Sequence, residues 1–299
     1  MTSRDWRPLA AIATTLIFWS SAFVAIRHLG HVFTPGALSL GRLVVGSIGL
    51  GVVLLKRGGP VPGRRDWAPL IAIGVLWYGV YNLTLNAGEL RIDAGTASML
   101  IQLSPVLIAV LATVFLRERP TLALGVGLLL AFGGVVVIAF SDSPGGGDLL
   151  GVLLCVTAAA AYSISLIVQK PLVGRLPAIE VTWFACTIGA VVCLPFVGQL
   201  AHGLVTASTG DVLWLVYLGL FPTAIAFTTY AYALTHMSAS SLGVTTYVVP
   251  PLTIAMGWIF LGEVPPPLAY LGGALCLVGV AVARRRPRPR SRVSEEAGV

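Results

Sequence analysis

Almost the whole of this chain is taken up by ten apolar stretches, each near the length of about 20 residues that carries a helix across hydrocarbon. They cover residues 8–26, 35–55, 67–87, 94–115, 121–140, 149–168, 181–200, 212–234, 239–261 and 268–283. The connectors between them, such as residues 56–60, 117–120, 142–148 and 262–267, are rich in charge, Pro and Gly and too short to hold a soluble domain. In lipid every backbone polar group must be satisfied within the segment, so the stretches predict helices. Composition agrees: 57% of the 299 residues are hydrophobic and 10% charged. That is too little charge for a water-facing globule, and the apolar runs exclude disorder. Cys155, Cys186, Cys193 and Cys276 all lie inside apolar runs without metal-ligand spacing, and read as small buried hydrophobes.

Orientation follows from the cations, which are retained on the cytoplasmic side near span ends. With the amino terminus inside, 16 of the 19 Lys and Arg fall inside, Arg27 and Arg91 outside, and Arg42 within a span. Both termini are expected in the cytoplasm. The basic tail at 284–299 reads as a topology anchor with weak attraction to anionic lipid, and no nucleic-acid partner is expected.

Slid against itself by 145 residues, the chain matches its own second half. Pro105 falls on Pro250, Phe115-Leu116 on Phe260-Leu261, Glu118 on Glu263, Pro120 on Pro265, Gly127 on Gly272 and Gly134 on Gly279. At an offset of 143, Trp19-Ser20 through Arg27 lies over Tyr162-Ser163 through Lys170. The domains are thus a first five-span copy at 1–140 and a second at 149–283. An odd number of spans per copy forces the second to enter the membrane from the opposite side. Inverted repeats are a common ground plan of carriers that alternate access around a midplane site.

The segments Leu103-Ser104-Pro105-Val106-Leu107 through Phe115-Leu116-Arg117-Glu118-Arg119-Pro120, and Val249-Pro250-Pro251-Leu252 through Phe260-Leu261-Gly262-Glu263, together with Trp19-Ser20 and Arg42, resemble the duplicated EamA domain of the drug/metabolite transporter superfamily. The resemblance covers about residues 8–283. It implies an all-α membrane protein of ten helices, arranged as two inverted five-helix repeats around a central cavity. It also implies a multi-pass protein of the bacterial inner membrane that exports small metabolites such as amino acids. The second copy departs from the pattern near Ala185 to Thr187, where Arg42 would repeat.

The embedded polar residues narrow the solute. Pro105 and Pro250, near the middle of matched spans, each remove a backbone donor, and are candidate hinges in kinked helices. Arg42 is the only charge placed well inside a span, where it costs about 2.5–3.5 kcal/mol. It could take a substrate carboxylate in a bidentate pair, or cap carbonyls freed by a kinked neighbour. All 12 Asp and Glu fall in connectors, tails or span ends, so no midplane carboxylate is available for a cationic drug or a proton relay. A neutral or zwitterionic solute fits this inventory. The candidate pocket residues are Trp19, Ser20, Arg42, Tyr78, Tyr81, Asn82, Asn86, Gln102, Tyr162, Ser163, Thr229, Tyr230 and Tyr247. Aromatic walls with a few amide and hydroxyl partners suit an amino acid with an apolar side chain.

No metal and no cofactor is expected. The spans hold no nucleophile with a base and no paired carboxylates, which disfavours an intramembrane enzyme, and Gly145-Gly146-Gly147 lacks the ending of a phosphate loop. A channel-like permease or a lipid or drug translocator is the alternative to a carrier. Gly125, Gly127, Gly133, Gly134, Gly272, Gly273 and Gly279 could serve packing within a monomer or a homodimer seam.

Overall fold

The computed structural model describes residues 6–58, 62–115, 122–140, 148–237 and 239–283. The tail at 284–299, Glu118 and the triple glycine at 145–147 lie outside the described residues. Among the described residues the chain is helical throughout, without a strand.

Helix α1 (Arg7–Leu29) opens on Pro8, whose missing N–H is harmless in a first turn. Helix α2 (Pro35–Arg57) starts the same way and is capped by the Thr34 hydroxyl, which accepts from the Ala37 N–H at 3.3 Å. The third stretch is composite: α3 (Arg64–Ile73), a π-helical segment (Gly74–Tyr81) and α4 (Asn82–Glu89). Asp93 caps α5 (Ala94–Ile101), which breaks at Gln102-Leu103 before α6 (Ser104–Phe115), and α7 (Leu122–Ala139) follows. Asp148 caps α8 (Leu149–Leu172). Next come α9 (Ala178–Val192), a 3₁₀ turn (Leu194–Phe196) and α10 (Val197–Thr206). A Ser208–Asp211 capping box starts α11 (Thr209–Leu218), which passes through a second π-helical segment (Gly219–Ile225) into α12 (Ala226–His236). The last elements are α13 (Ala239–Thr245), a 3₁₀ turn (Thr246–Val248), α14 (Val249–Leu261) and α15 (Pro267–Ala283).

Five of these helical units are long and apolar enough to cross a membrane, and a sixth counts if the α9–α10 pair is one span. The fourth, fifth, ninth and tenth predicted stretches fall on shorter apolar helices, Ala94–Ile108, Gly125–Ile138, Thr246–Leu261 and Pro267–Gly279. Two local expectations are corrected. The seventh stretch, read as one span over 181–200, bends by 54° next to Cys193, because Pro195 cannot donate to the preceding turn. Pro105 and Pro250 do not kink continuous helices. Each is the second residue of a new helix, α6 or α14, and the break precedes it.

The backbone repeats as the sequence does. Gly74 opens one π-helical segment and Gly219 the other, and the breaks at 102–103 and 246–248 fall in matching places. The two copies meet along α7 and α15. A Cβ added at Gly272 would sit 2.6 Å from the Gly134 carbonyl oxygen, and one at Gly279 would sit 2.5 Å from that of Gly127. These glycines are therefore spent on packing inside the monomer, while Gly125 and Gly133 touch nothing within 4 Å. Leu122 and Leu129 on α7, Phe140 just after it, and Leu271 and Val278 on α15 lie exposed on the outside of the pair.

A cavity at the broken helices

A π-helical turn widens the backbone ring and displaces carbonyls from their usual partners. In the first copy Asn82 serves them, its Nδ2 donating to the Tyr78 and Trp77 carbonyls at 2.8 and 3.2 Å. In the second copy Thr223 does so, its Oγ1 donating to the Leu218 carbonyl at 2.9 Å. The first of these segments and the two helix breaks line one cavity of about 40 Å³, and the second segment reaches its wall through the bond between Thr223 and Arg42. Gln102 and Thr246, one from each break, line it and are joined by a 3.1 Å bond from the Thr246 hydroxyl to Gln102 Oε1. A volume of this size holds a few water molecules, so a larger solute requires the walls to part.

Most of the wall is aromatic. Trp19 from α1, Trp77 and Tyr81 from the first π segment, Tyr162 from α8 and Phe227 from α12 all line the cavity. Trp77 lies 5.0 Å from Tyr162 and 5.2 Å from Phe227 between ring centres. Trp19 meets Tyr162 at 6.2 Å and Phe227 at 5.7 Å, both edge to face, and each such pair contributes about 0.5–1.5 kcal/mol beyond area burial. Apolar spacers from Ile26, Leu85, Ile101 and Val249 complete the ring.

Arg42 enters this wall from α2, only 2% exposed. Its Nε donates to Thr223 Oγ1 at 3.0 Å, which ties the guanidinium to the second copy. Among the described residues it takes part in none of the ion pairs. Trp19 Nε1, in the same wall, is a buried donor without an acceptor. The cavity thus presents a guanidinium and an indole N–H with capacity to spare, and both suit an anionic oxygen.

Of the residues singled out from sequence, Trp19, Arg42, Tyr81, Gln102 and Tyr162 line the cavity. Tyr78 and Tyr230 stand behind it: Tyr78 packs on Phe227 at 5.0 Å, and the Tyr230 hydroxyl is bonded to that of Tyr162. The others do not line it. Ser20 and Ser163 donate to carbonyls one turn back, on Leu16 and Ala159. Asn82 serves the π turn, Asn86 donates to Ser39 Oγ at 2.8 Å, and Thr229 bonds Thr15 at 2.8 Å. Tyr247 is half-buried in the second break, off the cavity wall. Trp77, Phe227 and Thr246 were missed. Trp77 lies four residues before Tyr81 and eight before Leu85, which line the same wall.

Both ends of the cavity are tied by matched cations. On the face where α1 ends, Arg27 donates from Nη1 to the Glu89 main-chain oxygen at 2.7 Å and from Nε to Glu263 Oε1 at 2.8 Å. On the face where α8 ends, Lys170 donates to the Leu234 and Met237 carbonyls at 2.5 and 2.8 Å. Glu263 reaches its place because Gly262, at φ 67°, ends α14 in a left-handed turn. Nearby, Arg91 donates to Asp148 at 2.6 Å and holds that carboxyl below the usual aspartate range. Burial pushes the Asp93 carboxyl above it. The expectation was that no carboxylate sits at the midplane; among the described residues Glu89, at the end of α4, is nevertheless fully buried, and neither of its carboxyl oxygens has a hydrogen-bond partner. Sequence placed it beyond the third stretch, where a connector would expose it.

The model of the EamA-like transporter family matches the chain twice, over residues 6–140 and 149–285. A probable terminal-alkyne amino-acid exporter of Streptantibioticus cattleyicolor is 38% identical over 292 residues, 96% of this chain and 97% of that protein. An uncharacterized transporter of Bacillus subtilis, YdfC, is 32% identical over 262 residues, covering 88% and 86% of the two chains. A protein of known crystal structure matches with a TM-score of 0.63 at 23% identity, over 94% of this chain and 97% of that one, and so shares the fold.

Proposed function

We propose, from the premise that the chain belongs to the EamA-like transporter family, that it is a ten-span carrier exporting amino acids with apolar side chains by alternating access. The single observation that carries the substrate class is Arg42: a buried guanidinium in the cavity wall, bonded through Nε to a threonine and in no ion pair among the described residues. Holding such a charge out of water is costly until a partner arrives. A substrate carboxylate, shared between Arg42 and Trp19 Nε1, supplies one. The aromatic faces of Trp77, Tyr162 and Phe227 then receive the side chain, and an ammonium group is accommodated by Gln102 Oε1 and the π-faces. The name of the Streptantibioticus relative, an amino-acid exporter, supports the same class.

In this reading the two copies are inverted in the bilayer of a bacterial inner membrane, with both termini cytoplasmic. The Arg27 clasp then lies at the outer face and the Lys170 tie at the inner one. The present form is tied at both ends, with a cavity too small for a substrate; loading requires one end to part. The helix breaks at 102–103 and 246–248 are where that motion is easiest, because the regular α-helical ladder gives way there to the shorter bonds of a tighter turn.

The test is counterflow in liposomes that hold only the purified protein, with a panel of labelled amino acids and their methyl esters. The expected result is saturable exchange of amino acids with apolar side chains. Arg42→Ala should reduce it about a hundredfold, the scale of a lost buried charge-assisted pair, and leave the slower exchange of esters unchanged. Exchange of free acids that survives Arg42→Ala would refute the assignment.

A further inference from the structure

The buried carboxyl at the end of α4 has no role in the substrate cavity. Glu89 is 0% exposed, and both its carboxyl oxygens lack a donor among the described residues. The groups within electrostatic reach come from every element around it: Arg27 on α1, Arg42 on α2, Tyr81 on the π segment, Asp93 before α5, Cys155 on α8 and Glu263 after α14. The near cation is already engaged. Arg27 uses Nε on Glu263 and Nη1 on the main-chain oxygen of Glu89 itself, so the guanidinium lies against the residue without pairing its carboxyl. An ionised carboxylate in this position would be unsolvated and unpaired, a costly state, whereas a carboxylic acid is not.

We propose that Glu89 is a proton-binding site that controls the outer clasp: the protonated acid accompanies the closed Arg27–Glu263 pair, and loss of the proton transfers Arg27 from Glu263 to Glu89. One proton leaves the Glu89 carboxyl for external water, one ion pair breaks and one forms, and Glu263, already partly exposed, is left to solvent. The transfer needs little travel, since Arg27 already bonds the Glu89 main chain. It has a consequence for the halves. Glu263 is the member of the clasp from the second copy, whereas Glu89 and Arg27 belong to the first. Moving the guanidinium onto Glu89 unties the two copies at that end. The inference rests on the alternating-access reading of the cavity, and is independent of the substrate.

The experiment uses intact cells producing the full chain with Ile26→Cys, a cavity-wall position one residue from Arg27, and a membrane-impermeant maleimide as probe. The parent chain, whose four cysteines are buried, is the control for background labelling. Labelling, divided at each pH by that of a small soluble thiol so that the thiolate's own rise with pH is removed, should rise about tenfold from acidic to mildly alkaline external pH. Adding Glu89→Gln, a permanent mimic of the protonated acid with the same backbone, should make the corrected labelling slow and flat with pH, and Glu89→Asp should restore the pH dependence. A pH dependence of the corrected labelling that persists in Glu89→Gln overturns the proposal, as does labelling at no pH from either side. If Ile26→Cys is labelled only in inside-out vesicles, the assignment of faces fails. The comparison of Glu89→Gln with its parent in those vesicles still decides the role of Glu89.

Discussion

Along the seam of α7 and α15, Gly134 of the first copy meets Gly272 of the second, and Gly127 meets Gly279. Because Gly127 and Gly272 are repeat equivalents, as are Gly134 and Gly279, each contact is the image of the other. The cavity wall is built from the same duplicated sequence and keeps only its backbone symmetry. Its π segments and helix breaks recur 145 residues apart, but Arg42 faces no second arginine, and the place equivalent to Glu89 is Leu234. The difference separates two demands. Packing and motion tolerate, and benefit from, identical parts on both sides of an axis. A solute with one carboxylate and one side chain cannot be bound symmetrically, so the chemistry is placed once.

The seam offers the largest test of that contrast. A Cβ at Gly279 would meet Gly127 O at 2.5 Å and Ala131 N at 2.6 Å; one at Gly134 would meet the Gly272 carbonyl and, at 2.7 Å, Cys276 Sγ. The obstacles are largely backbone, which cannot rotate away, and overpacking of this kind costs about 1–3 kcal/mol or more. Gly134→Ala and Gly279→Ala should therefore lower the Tm of the purified protein by similar amounts, several degrees each. Unequal losses would break the equivalence of the two contacts. Gly125→Ala, on an open surface, is the control that should leave Tm unchanged.

The symmetric region was the legible one. Glycines and prolines at a fixed offset are visible in the residues, and the matched breaks follow from Pro105 and Pro250, even though the helices restart at them and do not bend. The asymmetric region was legible only in part. Arg42, Trp19 and Tyr162 announce themselves as costly or bulky groups inside apolar stretches. Asn82 looks the same by spacing yet spends its amide on the π turn, and that turn depends on a shift of one residue in the hydrogen-bond ladder that no residue type signals. Glu89 was missed because burial at a span end is decided by what covers it, here α1, α5 and α8. The bond between Gln102 and Thr246 sharpens the comparison, since their repeat equivalents, Tyr247 and Ile101, cannot form its image. Gln102→Leu should cost about 1 kcal/mol and slow amino-acid counterflow about fivefold, with the folded protein retained. Tyr247→Phe, at the equivalent place, should change counterflow by less than about twofold.

The acidic surplus at the Arg27 end gives the smallest effect, and its sign follows from linkage. Asp93 caps α5, donating nothing and accepting from the Thr96 N–H at 2.8 Å and the Thr96 hydroxyl at 2.5 Å. Burial raises its carboxyl above the ordinary 3.8, and Glu263 adds to the rise, against these two bonds. As pH climbs through 3.8 the unfolded chain gives up its proton first, so the folded state binds more protons and loses stability until its own carboxyl ionises. Above that point the loss is constant. Asp93→Asn keeps an equally good cap and removes the titration. The variant should match the parent below about pH 3.8 and exceed it at neutral pH. Thermal unfolding of both proteins across that range measures the difference. If Asp93→Asn is the less stable of the two at neutral pH, the carboxylate is held by its cap more firmly than burial opposes it, and the acidic end is not a source of strain.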